Sequence, residues 1–168
     1  MKRIKLDAQA LEPAVIGGCI RGGGGGGNMN VGRSTGGLAV EYTDLWLWDI
    51  EELNDDDTIV CASMVGAPEA KEQYVTPRQM VRAMELFQQN SDVRIAGIIT
   101  NENGGGSSIN GWIQAAMLGI PLLDAPCNGR AHPTGVMGSM NLHKVPGYVE
   151  AQAAVGGNPA TGRNVECL

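Results

Sequence analysis

Six consecutive glycines, Gly22–Gly27, stand between Arg21 and Asn28. Such a run cannot be the interior of a stable helix, because glycine loses more backbone freedom on ordering than any other residue. It must be a loop, and it separates the segment before it from the segment after it. Glycine is also abundant overall, 25 of 168 residues, about twice the usual ~7% share. No Gly-X-Y period runs through the chain, so a collagen-like fold is excluded. A glycine loop has three chemical uses: an anion cradle of successive N–H groups, a close-packed turn, or a backbone surface that a small polar substrate can approach. No Gly-Lys-Ser/Thr follows, and the run succeeds a predicted helix rather than a strand, so the phosphate-loop context is missing. The reading adopted is the third, with Gly22, Gly23, Gly24 and Gly25 as substrate-binding backbone.

The helix before the run is predicted from Asp7, a capping residue, through AQALEPAVIGGC, with Pro13 early in it. After the run, MNVGRSTGGLAVEY reads as a short helix leading to a strand near Leu38–Tyr42. DLWLWDIEELNDDD reads as an exposed acidic connection, with Trp46 and Trp48 on one side of an extended piece. The pattern then becomes regular. TIVCASMVG is a β-branched strand bounded by Asp57 and glycine. Thr76 and Pro77 open a helix whose apolar positions, Met80, Val81, Met84 and Phe87, recur at spacings of three and four. Val93–Thr100 is a second buried strand, NENGGGSS a turn, Ile109–Gly119 a helix closed by glycine, and Ile120–Ala125 a third strand. Strand, helix, strand, helix, strand implies parallel pairing with right-handed crossovers. The expected fold is α/β, a three-layer sandwich with a mostly parallel sheet and helices on both faces. Residues 1–145 form the domain, and 146–168 form a tail or linker towards a second domain or subunit.

The net charge is −6, which disfavours nucleic acid as a partner. No apolar run is long enough for a membrane span. The start, MKRIKLDAQALEP, meets Asp7 and Glu12 before any apolar stretch and is not a signal peptide. A cytoplasmic location is expected, and with it free thiols at Cys19, Cys61, Cys127 and Cys167, none of which forms a CxxC pair.

Ligands of open parallel sheets bind beyond the carboxyl ends of the strands. NENGGGSS and APCNGRAHP fall there, so Glu102, Asp124, Cys127, Arg130 and His132 are expected to share one cleft and carry the catalysis. Gly104 and Gly105 are expected to bind substrate. The hexaglycine run is expected beside them. A carboxylate above a glycine turn can accept a substrate N–H or act as a base. A nucleophilic Cys127 needs a positive neighbour, which Arg130 or His132 would supply. Asp124, Cys127, His132 and His143 suit a divalent metal by residue type, although close ligand pairs are lacking. No cofactor is fixed by these residues.

Taken in order, GGCIRGGGGGG, TIVCASMVGAP, NENGG and LGIPLLDAPCNGRAHP resemble the N-terminal domain of the S-methyl thiohydantoin desulfurase family, from about Asp7 to about His143. The resemblance implies a three-layer α/β domain and chemistry on a five-membered cyclic imide or thiohydantoin ring. The glycine run, the Met64–Pro68 turn, Glu102, Gly104, Gly105, Asp124, Gly129, Arg130 and Pro133 sit where the family has like residues. Cys127 and His132 depart from a pattern with a small residue and an aromatic there. Members of that family continue into a second, β-rich domain, whereas this sequence stops at Leu168. The expected function is hydrolytic opening or desulfuration of a small hydantoin-like ring. The rival expectations are a partner module docking through Trp46, Trp48 and AQAAVGG, and a nucleotide-binding protein using the hexaglycine loop. The active form is expected to be a homo- or hetero-oligomer containing a second polypeptide or domain. One version is cleavage after Leu168 that frees a nucleophilic N-terminal residue.

Overall fold

The structure, a computed structural model, describes residues 3–66, 69, 71–131 and 140–168. Among them, β1 (Ile4–Leu6), β2 (Leu45–Trp48), β3 (Thr58–Ala62), β4 (Ile95–Thr100) and β5 (Leu122–Leu123) form one sheet in the order β1-β2-β5-β4-β3. β1 is antiparallel to β2, and the remaining pairs are parallel. The helices are α1 (Ala8–Gly22), α2 (Met29–Tyr42), α3 (Pro77–Gln89) and α4 (Trp112–Leu118). The fold is therefore α/β with a mixed, mostly parallel sheet.

The chain steps β3-α3-β4-α4-β5 across neighbouring strands in one direction. Crossovers of one hand then place both helices on one face. The described helices form a connected row, with α3 packed on α4, α4 on α2 and α2 on α1. Between row and sheet lies an aliphatic core that includes Val15, Ile98, Ile109, Ile113 and Leu122, with Trp112 among them. Among the described residues no helix is long and apolar enough to cross a membrane.

Local chemistry explains the helix ends. The Asp7 carboxylate accepts from the N–H groups of Gln9 at 2.9 Å and Ala10 at 3.0 Å, satisfying donors that have no partner inside the helix. α1 stops where Gly23 turns left-handed at φ 63° and its N–H donates to the Ile20 carbonyl. Asn28 caps α2 in the same way, at 2.7 Å from Asn30 N–H. α3 opens with a full capping box, Thr76 and Gln79 bonding each other's backbone. Thr76→Ala is expected to destabilise the fold by about 1 kcal/mol. A urea titration checks this, with an unchanged midpoint as the contrary result.

Two expectations are corrected. No strand occupies Leu38–Tyr42; α2 runs unbroken to Tyr42, because Gly32, Gly36 and Ala39 recur at helical spacing and are its buried face. The acidic connection instead holds a sheet strand. Leu45 is buried and Leu47 packs against the core, which puts Trp46 and Trp48 on the opposite face. Trp48 is covered by Arg3, whose guanidinium carbon lies 3.3 Å from the ring centroid. Residues 146–168 contain a hairpin, β6 (Ala154–Gly156) with β7 (Val165–Cys167). It returns onto α3 through Gln79 Nε2 to Gly157 O at 2.7 Å and Arg82 to Glu166 at 2.8 Å.

Candidate functional site

The carboxyl ends of β4 and β5 are joined by their following loops. Cys127 N–H donates to Thr100 O at 3.0 Å and Asn128 N–H to Asn101 O at 2.7 Å. Asn103 then grips Gly129: its backbone N–H and its side-chain amide both donate to the Gly129 carbonyl at 2.7 Å. The glycine loop closes on the same place. Gly26 O accepts from Gly106 N–H at 3.0 Å and Ser107 N–H at 2.8 Å. The Arg130 guanidinium lies over Gly23, 2.8 Å from where a Cβ would be, and Ala131 faces Gly25 in the same manner. The three glycine-bearing segments thus meet at one edge of the sheet.

Close packing accounts for several of the glycines. A Cβ on Gly26 would fall 2.5 Å from Gly104 Cα, and one on Gly22 would fall 2.7 Å from Asn103 O. A Cβ on Gly105 would meet the Met29 side chain at 2.7 Å. Gly22, Gly104 and Gly105 therefore turn their Cα hydrogens towards the protein itself. Gly23 and Gly25 donate their N–H groups back to Ile20 and Gly22 carbonyls, which removes two donors from any phosphate cradle. Gly24 has open space around it.

Glu102 is buried, and its Oε1 accepts from Ser107 Oγ at 3.3 Å. The Thr100 hydroxyl holds the same turn, bonding Ser107 O and reaching Glu102 O at 3.3 Å. Asn110 donates to Asn101 Oδ1 at 3.0 Å. Asp124 follows β5 directly. Its N–H donates to Trp48 O at 2.9 Å. It lines a cleft of about 220 Å³ with Ile4, Leu47, Trp48 and Asp49. A larger cleft of about 390 Å³ lies elsewhere, between Glu72–Tyr74 and the hairpin loop at Gly157, Asn158, Thr161 and Arg163.

Cys127 sits in a desolvated part of the loop. Burial raises its pKa above the ordinary thiol value, the Cys61 hydrogen bond opposes this, and the Glu150 carboxylate adds to the rise. Cys61 is pushed up to about 12, by burial first, then by Cys127, with Glu150 and Glu102 contributing. The Cys61 residue as a whole is exposed, while desolvation is the largest cause of its raised pKa. Neither thiol is a ready thiolate near neutrality. Iodoacetamide should accordingly modify the exposed Cys167 well before Cys61, and Cys61 modification should still be rising at about pH 10. Peptide mapping across a pH series checks this; Cys61 reacting first at neutral pH would contradict it.

His132 and Pro133 lie outside the described residues, as does part of the Met64–Pro68 turn. His143 is on a short 3-10 turn, Leu142–Lys144. Among the described residues no group of three His, Cys, Asp or Glu side chains could hold a metal ion; the expected metal set includes His132. Sequence reasoning missed Asn103, Ser107 and Asn101, which hold the loops in register. Their signal was present in NENGGGSS, where Asn flanks the glutamate on both sides at a strand end.

With this geometry in place, comparison with known proteins decides the family. The family described as "S-Me-THD-like, N-terminal domain" matches residues 9–161. The chain belongs to that family. A crystal structure of a protein from Chromobacterium violaceum is similar to this S-Me-THD-like domain, at 29% identity and a TM-score of 0.71. The likeness covers 99% of this chain and 44% of that one, so the domain spans less than half the length of its neighbour. No match is found among the curated proteins.

Proposed function

We propose that this S-Me-THD-like domain acts on a small cyclic imide, hydantoin or thiohydantoin ring, by hydrolytic opening or desulfuration. The observation that carries the reading is membership of a thiohydantoin-related family over residues 9–161. The meeting of the glycine loop, the Glu102 turn and Arg130 at one sheet edge supports it. A ring of this kind presents N–H donors and carbonyl or thiocarbonyl acceptors. Glu102 and loop carbonyls are acceptors for the first. Arg130 and glycine N–H groups would stabilise the negative charge that develops on the second during attack. Water is the attacking group. On an S-methyl thiohydantoin it would add to the carbon bearing sulfur and release methanethiol. On a hydantoin it would open the amide to a carboxylate.

A panel of hydantoin, thiohydantoin and S-methyl thiohydantoin tests the reading, with thiol release and ring opening followed together. Turnover of at least one ring, lost in Arg130→Ala, is the expected outcome. Activity untouched by that substitution would count against it.

A second reading follows from the 44% coverage of the Chromobacterium violaceum protein: the domain is one half of a site completed by another domain or subunit, in a homo- or hetero-oligomer acting in the cytoplasm. Residues 146–168 would then lead towards that second part. A covering layer from it on the sheet face that carries Trp46 and Cys61 would complete a three-layer sandwich. Light scattering on the purified chain separates the readings. A monomer active alone excludes the second.

A further inference from the structure

Asn103 touches both sides of the glycine-lined edge. On one side its carbonyl faces the hexaglycine loop: a Cβ on Gly22 would lie 2.7 Å from Asn103 O, and one on Gly26 would lie 2.6 Å from it. On the other side its backbone N–H and its Nδ2 both donate to the Gly129 carbonyl, each at 2.7 Å. That carbonyl belongs to the peptide unit that ends in the Arg130 N–H, and the unit is planar. Holding the carbonyl therefore sets the direction in which the chain enters Arg130. The hold is needed because Gly129 is left-handed at φ 72°, and glycine has little conformational preference of its own. At the far end of the Arg130 side chain the guanidinium rests above Gly23, with Nη2 2.8 Å from where a Cβ would be. Among the described residues no carboxylate pairs with Arg130, so its aim comes from the backbone behind it and the glycine floor beneath it.

We propose that the Asn103 side chain is a positioning residue for Arg130: by gripping the Gly129 carbonyl it holds the guanidinium over the glycine loop. The inference rests on the reading that Arg130 stabilises the charge developing on the ring. The property that counts is the Nδ2 donor and not the size of the side chain. Asparagine and aspartate have the same shape, but an ionised aspartate has no donor and would turn a negative oxygen towards the Gly129 carbonyl.

The test compares Asn103→Ala and Asn103→Asp with the native protein. Both variants keep the backbone N–H bond to Gly129 O, so the fold should survive. Without substrate, NMR follows the Nε–Hε resonance of Arg130, identified by its absence in Arg130→Lys. It is expected to move to the free-arginine position in both variants. Against the ring panel, kcat should fall about 10- to 100-fold, the loss that a misplacement of about 1 Å produces. KM should change little, since the charge is stabilised in the transition state rather than in the bound substrate. Three results would overturn the proposal: an Arg130 resonance unmoved in Asn103→Ala, an Asn103→Asp variant matching the native protein, or a loss confined to KM. If no ring is turned over, or if Arg130→Ala leaves turnover intact, the ring reading fails, and the Arg130 resonance still decides the positioning.

Discussion

Replacing Gly104 with alanine will destabilise the protein by about 3 kcal/mol, at the upper end of ordinary overpacking costs. The new methyl would be driven into the backbone of Gly26, meeting its Cα, carbonyl carbon and carbonyl oxygen. No side chain is there to swing aside, so two loops must part. Parting them also strains the bonds from Gly26 O to Gly106 and Ser107. For a chain of this size the melting temperature should fall by about 6–12 °C. Gly17→Ala is the matched control. A Cβ there meets nothing within 4 Å, and alanine is the better helix former, so stability should rise by about 0.5–1 kcal/mol. Equal melting temperatures for Gly104→Ala and the wild type would mean that the loops are not packed backbone to backbone.

Glu102→Gln will cut turnover of the ring substrate by about two to four orders of magnitude, the usual contribution of a positioned acid or base. The fold should survive, since glutamine can still accept from Ser107 Oγ, the contact that Glu102 Oε1 makes at 3.3 Å. Asp124→Asn is expected to do much less, because Asp124 lines the separate cleft beside Trp48 and Asp49. The pair of variants therefore distinguishes a site at the glycine-lined edge from one beside β2. A larger loss in Asp124→Asn than in Glu102→Gln would move the chemistry to the second cleft.

The parallel strand-helix alternation from Thr58 onward was legible because each element carries its own local signal. β3 and β4 are β-branched runs, and α3 has both a capping box and a clean apolar stripe. α2 was misread at its end because its buried face is made of glycine and alanine, residues that give no apolar period. β2 was hidden by its acidic flanks, and its outward tryptophans made it look like a surface segment. The convergence of the glycine loop with the loops after β4 and β5 could be argued from the topology of parallel sheets.

The account rests on a small ring binding where the glycine loop, the Glu102 turn and Arg130 meet. A crystal structure of the protein grown with hydantoin tests this most directly. The predicted result is ring density within hydrogen-bond distance of the Arg130 guanidinium and of the loop formed by residues 22–27. Density in the cleft lined by Glu72, Tyr74, Asn158 and Arg163, with the glycine-lined edge empty at saturating hydantoin, would contradict it.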